Sequence, residues 1–381
     1  MNRRELLHLL AVAAAADLNG FSGSALAAGD GTEIYDLPPF GNVTLLHFTD
    51  CHAQLRPIYF REPSVNIGVG AGQGVPPHLV GKALLSHFGI ATGGREAYAL
   101  SNLDFVHAAQ VYGKVGGFAH LATLVKRLRA SRPGALLLDG GDTWQGSATA
   151  LWSHGQDMVD AQLELGVDVM TGHWEFTYGA DRVKEVVDKQ FHGKIDFVAQ
   201  NIKTADFGDG VFPPYVIRSM NGVQVAIVGQ AFPYTPIAHP RSFVPDWSFG
   251  IHEENLQQTV EKARQQGAQV VVLLSHNGMD VDIKLASRIT GIDAILGGHT
   301  HDGVPRPTVV KNPRGQTLVT NAGSNGKFLG VLDLSVKNGV LKDWRYKLLP
   351  VFSNLLPADP KMDALIAAHR APYEAKLGAS N

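Results

Sequence analysis

Apolar, β-branched runs that stop abruptly at polar clusters set the rhythm of this chain. Val43 to Leu46 runs into Asp50 and His52, Ala135 to Leu138 into Asp139-Gly140-Gly141-Asp142, and Val167 to Met170 into Gly172-His173. Further along, Val270 to Leu274 meets Ser275-His276-Asn277, and Ala294 to Leu296 meets Gly297-Gly298-His299-Thr300-His301. Short apolar runs closed by glycine predict buried strands. Helical spacing intervenes: Phe118, Leu121, Leu124, Val125 and Leu128 share one face, with Lys126, Arg127 and Arg129 turned outward. Further helices are predicted over 158–165, 180–190, 254–266 and 282–289, and strands over 197–199, 317–320 and 329–336. Asn221-Gly222, between 216–219 and 224–228, and Asn338-Gly339 predict hairpin turns. Strand–helix alternation mixed with hairpins predicts an α/β chain built as a sandwich of mixed sheets flanked by helices.

Three segments depart from this rhythm. Residues 53–115 are rich in Gly and Pro, with one helix predicted near 79–88. An insertion of that length after a strand either lies over a site or decorates the surface. At the far end, Leu355 to Pro360 reads as a linker and 362–377 as an amphipathic helix. The first residues carry Arg3-Arg4, an apolar stretch from Leu6 to Ala16 and an Ala25-Leu26-Ala27 cleavage-like site. That predicts a twin-arginine-type export signal over 1–27 and a periplasmic location. A membrane anchor is the competing reading, and Asp17 and Asn19 interrupt it.

Composition narrows the function only by exclusion. The 381 residues carry a formal net charge of −2 with 18% charged residues, so no basic field points to nucleic acid. The single cysteine, Cys51, excludes an internal disulfide framework. It is expected to be a small buried residue; a thiol near the site is the alternative.

The polar clusters carry the chemistry. Ligands in open α/β sheets bind beyond the carboxyl ends of the strands, where Asp50, His52, Asp142, His173, His276, His299 and His301 are all expected. Carboxylates that can bridge, mixed with imidazoles, suit two divalent cations held close together; manganese, zinc and iron all fit such a donor set. Two such ions lower the pKa of a water between them and clamp the oxygens of a tetrahedral anion. Asp50 and His52 alternate along the chain, so both reach one ion only if the strand is already turning. Asn277, Thr300 and Asp302 are candidates to orient the ligands.

These motifs, Thr49-Asp50-Cys51-His52, Asp139-Gly140-Gly141-Asp142, Gly172-His173-Trp174-Glu175-Phe176, Ser275-His276-Asn277-Gly278 and Gly298-His299-Thr300-His301, resemble the calcineurin-type metallophosphoesterases, above all their 5′-nucleotidase branch. The resemblance runs from Asn42 to Leu349. It implies a four-layer sandwich of two mixed sheets between helices. It also implies one ion on Asp50, His52, Asp142 and His301 and a second on Asp142, His173, His276 and His299, with Asp142 bridging. Residues 28–350 would then be the catalytic domain, and 351–381 a linker and connector helix to a C-terminal domain absent from this chain.

The sequence also departs from that branch. Nucleotidases carry Gly-Asn-His-Glu-Phe-Asp, whose Asn is a ligand and whose His–Asp pair assists the transition state. Here Gly172 to Thr177 puts an imidazole in the place of the amide, Trp174 in the place of the catalytic His and Thr177 in the place of its Asp. With the run from Asp139 to Ser147, the insertion and the leader, this variant is similar to the SoxB-type thiosulfohydrolases of bacterial sulfur oxidation. That likeness implies two manganese ions, a cysteine S-thiosulfonate substrate on a periplasmic SoxYZ-type carrier complex, and sulfate as product. Arg56, Trp144, Trp174 and Tyr178 are the candidate substrate contacts. A 5′-nucleotidase-like phosphomonoesterase or phosphodiesterase is the competing function, and a metal-holding binding protein without catalysis is the third.

Overall fold

The computed structural model of the chain describes residues 31–59 and 66–378. The predicted export signal lies outside them. The chain divides at Leu37 into two compact units; the described part of the first contains a single 3₁₀ turn, Thr32–Tyr35. The second unit, from Pro38 onward, holds the strands and every residue considered below.

Strands follow in chain order as β1 (Val43–Phe48), β2 (Leu136–Asp139), β3 (Val169–Met170), β4 (Asp196–Phe197), β5 (Lys203–Thr204), β6 (Tyr215–Met220) and β7 (Val223–Gln230). They continue as β8 (Trp247–Ser248), β9 (Val270–Ser275), β10 (Ala294–Gly297), β11 (Thr308–Asn312), β12 (Gly315–Asn321), β13 (Phe328–Lys337) and β14 (Val340–Pro350). One sheet has the order β14-β13-β1-β2-β3-β4, the other β11-β12-β10-β9-β7-β6. Each is parallel in its middle and antiparallel toward a hairpin edge: β13 with β1 and β14 in the first sheet, β6–β7 and β11–β12 in the second. Strands β5 and β8 make a separate small pair.

The alternation of side chains along the strands makes the layers. Val43 and Leu45 of β1 point into a core shared with Val225 and Ile227 of β7, Val270 and Val272 of β9 and Leu296 of β10, which packs one sheet on the other. Each such fully buried side chain is worth roughly 1.5–3 kcal/mol. The opposite face of β1 meets the helix Phe118–Ser131, where Phe118 stands edge-on to Phe48 with ring centroids 6.1 Å apart. On the outer face of the second sheet, Leu256 and Val260 of helix Glu253–Gln265 and Leu285 of helix Met279–Ala286 join Val271, Leu273 and Ile295. This is the expected α/β four-layer sandwich.

Two segments differ from expectation in detail. The described residues of the insertion hold three α-helices, Gly81–Phe88, Arg95–Leu100 and Phe105–Tyr112, where one was expected, near 79–88. Short helices of six to eight residues leave too few turns for periodicity to stand out among glycines. The last helix runs Pro360–Arg370, with Pro360 in its first turn and the Asp359 carboxylate accepting the Met362 N–H. A 3₁₀ turn, Ala371–Tyr373, separates it from Glu374–Gly378. Residues 351–370 pack on the sandwich: Val351 and Phe352 are buried, and Met362 and Ile366 are the buried face of the helix.

Candidate metal centre

Seven side chains converge beyond the carboxyl ends of β1, β2, β3, β9 and β10, in two groups. Asp142, His173, His276 and His299 form one; Asp50, His52 and His301 form the other, with the offered donor atoms of each group within 4.8 Å of one another. Asp142 stands between them. Its Oδ2 lies 3.1 Å from His276 Nε2 and 3.7 Å from His52 Nε2, and its Oδ1 lies 3.0 Å from His173 Nδ1. Asp50 Oδ1 is 3.4 Å from His301 Nε2.

Backbone conformation explains how neighbours in sequence reach one place. Asp50, His52, Asp142, His299 and His301 all have positive φ, between 46° and 74°. β1 ends at Phe48 and β10 at Gly297, so the alternation that would separate Asp50 from His52, and His299 from His301, is already broken. Each left-handed non-glycine residue costs roughly 1–2 kcal/mol, and such strain persists only where surroundings enforce it. Backbone bonds do so here: Asp50 N–H donates to Gly141 O (2.8 Å), His52 N–H to Asp142 O (2.8 Å), and Asn325 N–H to Asp50 O (2.7 Å). Gly298 is required by crowding, since a Cβ there would meet Thr49 Oγ1 at 2.5 Å and His276 Nδ1 at 2.9 Å.

Glu175 is the clamp beneath the site. Its buried carboxylate accepts the backbone N–H groups of Asp142 (3.2 Å), Thr143 (2.6 Å), Trp144 (3.2 Å) and His173 (2.8 Å). It therefore ties the loop after β2 to the loop after β3. In the sequence it appears within the Gly172–Phe176 motif, as an acid between two aromatics, without any sign of the amides that it gathers. Phe232, at 4.0 Å from the His173 ring and 4.1 Å from the His299 ring, and His239, at 5.2 Å from His173, come from the loop after β7. Nothing in the sequence of that loop marked them.

The electrostatics call for a cation. His276 Nδ1–H donates to Gly140 O at 2.6 Å, which aims Nε2 at the carboxylates. Burial opposes charge on this ring, yet the Asp142 and Asp50 carboxylates push it up to about 10, so without another cation the imidazole itself supplies the positive charge. Burial lowers His173 and His299 to about 4 and keeps them neutral, the form that binds metal. Against the cost of its own burial, Asp142 is held well below the usual carboxylate range by His276 and His173.

Three of the ring nitrogens also lack an ordinary hydrogen-bond partner. His276 Nε2 is close to Asp142 Oδ2 but not aligned for a hydrogen bond, and it is buried and unpaired, as are His173 Nε2 and His299 Nδ1. His52 Nε2 and His301 Nε2 face each other at 3.0 Å. Buried polar atoms left unpaired cost about 1–3 kcal/mol each, and convergent nitrogens and carboxylates are the donor set of two divalent ions. The residues present fit such a pair.

The remaining candidates are placed as follows. Trp174 is half-buried, its ring 5.0 Å from His239 and 5.8 Å from His173, and its backbone N–H donates to Asp142 Oδ1 at 2.7 Å. Tyr178 is half-buried, stacks on His154 and donates to Trp144 O at 3.2 Å. Arg56 is exposed and pairs at 3.4 Å with Asp363 of the last helix. Trp144 is corrected: it is fully buried, donates through Nε1 to Gln162 Oε1 at 2.6 Å and packs edge-on against Phe191, so it is a core residue and not a substrate contact. Cys51 is buried, and burial together with Asp139 and Asp50 pushes its thiol up. Asn277 joins Gln230 and Asp282 in a buried network, accepting from one and donating to the other.

A scan against protein-family models finds no match. A calcineurin-like phosphoesterase of Bacillus subtilis, YfkN, shares the fold at 19% identity, with a TM-score of 0.62 over 88% of this chain and 98% of that one. The rat 5′-nucleotidase is 30% identical over 69% of this chain and 48% of its own length. The chain fits the 5′-nucleotidase branch of the calcineurin-like phosphoesterases. Within reach of that branch, a Thermus thermophilus sulfate thiohydrolase, SoxB, solved with glycerol, is 41% identical with a TM-score of 0.85, over 90% of this chain and 62% of that one. This chain thus spans about half the length of that curated 5′-nucleotidase and under two thirds of the SoxB structure. Among the described residues no helix is long and apolar enough to cross a membrane.

Proposed function

We propose that this chain is a metal-dependent hydrolase of the thiosulfohydrolase type, cleaving a cysteine-bound thiosulfonate on a periplasmic SoxYZ-type carrier to release sulfate. The observation that carries this reading is the 41% identity to the SoxB structure across 90% of the chain. The variant signature supports it. Trp174 and Thr177 stand where a nucleotidase would hold its His–Asp pair, and the Thr177 hydroxyl donates to Trp174 O at 2.6 Å. A persulfide is a better leaving group than a sugar alkoxide, so the cleavage tolerates the loss of a proton donor that is typically worth a hundredfold or more.

Asp50, His52, Asp142 and His301 would hold one ion, and Asp142, His173, His276 and His299 the other, with manganese as the proposed metal. When bound, such ions supply Lewis acidity for water activation and for the charge of a tetrahedral sulfonate. The protein's own part is to fix the donors. Glu175 sets Asp142 and His173 through their backbones, Gly140 O sets the His276 tautomer, and Phe232 packs against both the His173 and the His299 rings. Trp174 and Tyr178 remain the proposed substrate contacts. Arg56, paired with Asp363, would first have to leave that partner.

The test is sulfate release from a peptide bearing a cysteine S-thiosulfonate, with manganese-loaded protein and His173→Ala as control. Metal-dependent release is expected, with the bond between sulfonate sulfur and sulfane sulfur broken by water and persulfide left on the peptide. Hydrolysis of AMP without sulfate release would favour the phosphomonoesterase reading instead, which rests on the 30% identity to the rat 5′-nucleotidase. Trp174→His with Thr177→Asp is expected to raise AMP hydrolysis at least tenfold. An unchanged rate would sink the leaving-group argument.

A further inference from the structure

His299 and His301 sit on a turn that works against its own backbone, with φ of 74° and 56°. Side chains with a Cβ stay in that region only where neighbours hold them. Thr300, between the two, is where the hold is applied. Its hydroxyl donates to Asp302 Oδ2 at 2.5 Å and accepts the Met279 N–H at 3.1 Å. Asp302 Oδ1 in turn accepts the Asn66 amide N–H at 2.8 Å, Asn66 Oδ1 faces His78 Nδ1 at 2.6 Å, and His78 Nε2 reaches Asp280 Oδ1 at 2.8 Å. Five polar side chains thus form one unbroken chain from an exposed carboxylate to the ligand turn.

Asn66 and His78 belong to the insertion, Asp280 to the helix after β9. Insertion and turn also line a common cavity of about 380 Å³, with Thr300 and His301 on one wall and Pro77 and Leu84 on another. On that side the turn borders this cavity, and the hydrogen bonds of Thr300 and Asp302 tie it to its surroundings.

We infer that Asn66 and His78 are positioning residues for the ion ligands His299 and His301, and that the insertion is a built part of the metal centre. The inference rests on reading the seven-residue cluster as a two-ion site. A mere fastening of the insertion to the surface would use the same bonds, but it predicts a change in stability and none in metal affinity.

Manganese titration of metal-free protein by calorimetry separates the two, using wild type, Asn66→Ala, His78→Ala and the double variant. Each single variant is expected to lose about 10- to 100-fold in affinity for at least one ion. The double variant loses no more than the weaker-binding single, because a chain already cut cannot be cut again. The electron paramagnetic resonance of the manganese pair shifts in the same variants, since the spacing of its ligands relaxes. Affinities within twofold of wild type in both single variants, with the wild type binding two ions, overturn the inference alone. A wild type that binds no manganese overturns the two-ion reading beneath it. Should a truncation fail to fold, Asp280→Asn cuts the chain at its exposed end and is expected to weaken binding in the same sense by a smaller factor.

Discussion

The two ends of β1 treat polar groups in opposite ways. At its start, Thr44 donates to Asp333 of β13, and the same carboxylate takes Arg132 through Nε (3.0 Å) and Nη2 (3.0 Å), all three residues being buried. Charge and hydrogen-bonding capacity close on each other there, and the backbone is ordinary strand. Just past its other end, Asp50 and His52 lie in left-handed conformation beside ring nitrogens that find no partner. One end spends its polar groups on holding the fold, and the other keeps them unspent for a ligand. Unsatisfied, strained and convergent side chains locate a functional site more sharply than burial or charge alone, since buried charge occurs at both ends.

The sharpest way to break this contrast is at the closed end. Arg132→Ala leaves the Asp333 carboxylate buried without its cation, and a loss of about 3–5 kcal/mol is expected in denaturant unfolding. Folded protein should still bind two manganese ions; a lowered stoichiometry would mean that the two ends are not independent. Next comes Glu175→Ala, which strips the acceptor from the N–H groups of Asp142, Thr143, Trp144 and His173. It should cost about 2–3 kcal/mol and also weaken metal binding about tenfold or more. An effect on stability alone would remove Glu175 from the site.

The open end should respond in the other currency. His52→Ala truncates a proposed ligand whose side chain is 22% exposed, and its effect on metal-free stability should stay within about 0.5 kcal/mol. Calorimetric titration should nonetheless show the loss of tight binding for one of two ions, leaving the buried group around His276 intact. Loss of both would show that the groups fill only together.

The last way to sharpen the comparison is pH. Burial and the Glu175 carboxylate push Asp139 up to about 8, so the folded, metal-free protein retains a proton that the unfolded chain gives up near pH 4. The resulting stabilisation is complete below the unfolded value and is lost as pH rises through the folded one. Asp139→Asn should therefore flatten the decline in melting temperature between about pH 4 and pH 8, and its advantage over wild type should grow with pH. Parallel curves would show that Asp139 is ionised throughout.

Much of this was legible in one dimension. The apolar runs of β1, β2, β9 and β10 are unbroken and buried on both faces, so they announce themselves without tertiary context. The seven converging residues are legible for the same reason, because a parallel strand end is a fixed address in the sheet. Of the helices in the insertion, Gly81–Phe88 was legible, while Arg95–Leu100 and Phe105–Tyr112 were not, being too short to show a period. Nor was the role of Trp144, whose burial depends on Gln162 and Phe191 arriving from other helices.

Sequence alone determined the class of fold and the strand ends at which the seven candidate ligands stand, because each follows from local periodicity or from a motif of contiguous residues; their division between two ions was only what the family resemblance implies. Only the tertiary structure decided that five of the ligands sit in left-handed backbone, that Glu175 gathers four amides, and that Asn66 and His78 reach back to the ligand turn. Most of the bonds that fix them join segments tens to hundreds of residues apart. Their energy depends on distance and angle in space, for which the order of residues along the chain holds no local signal.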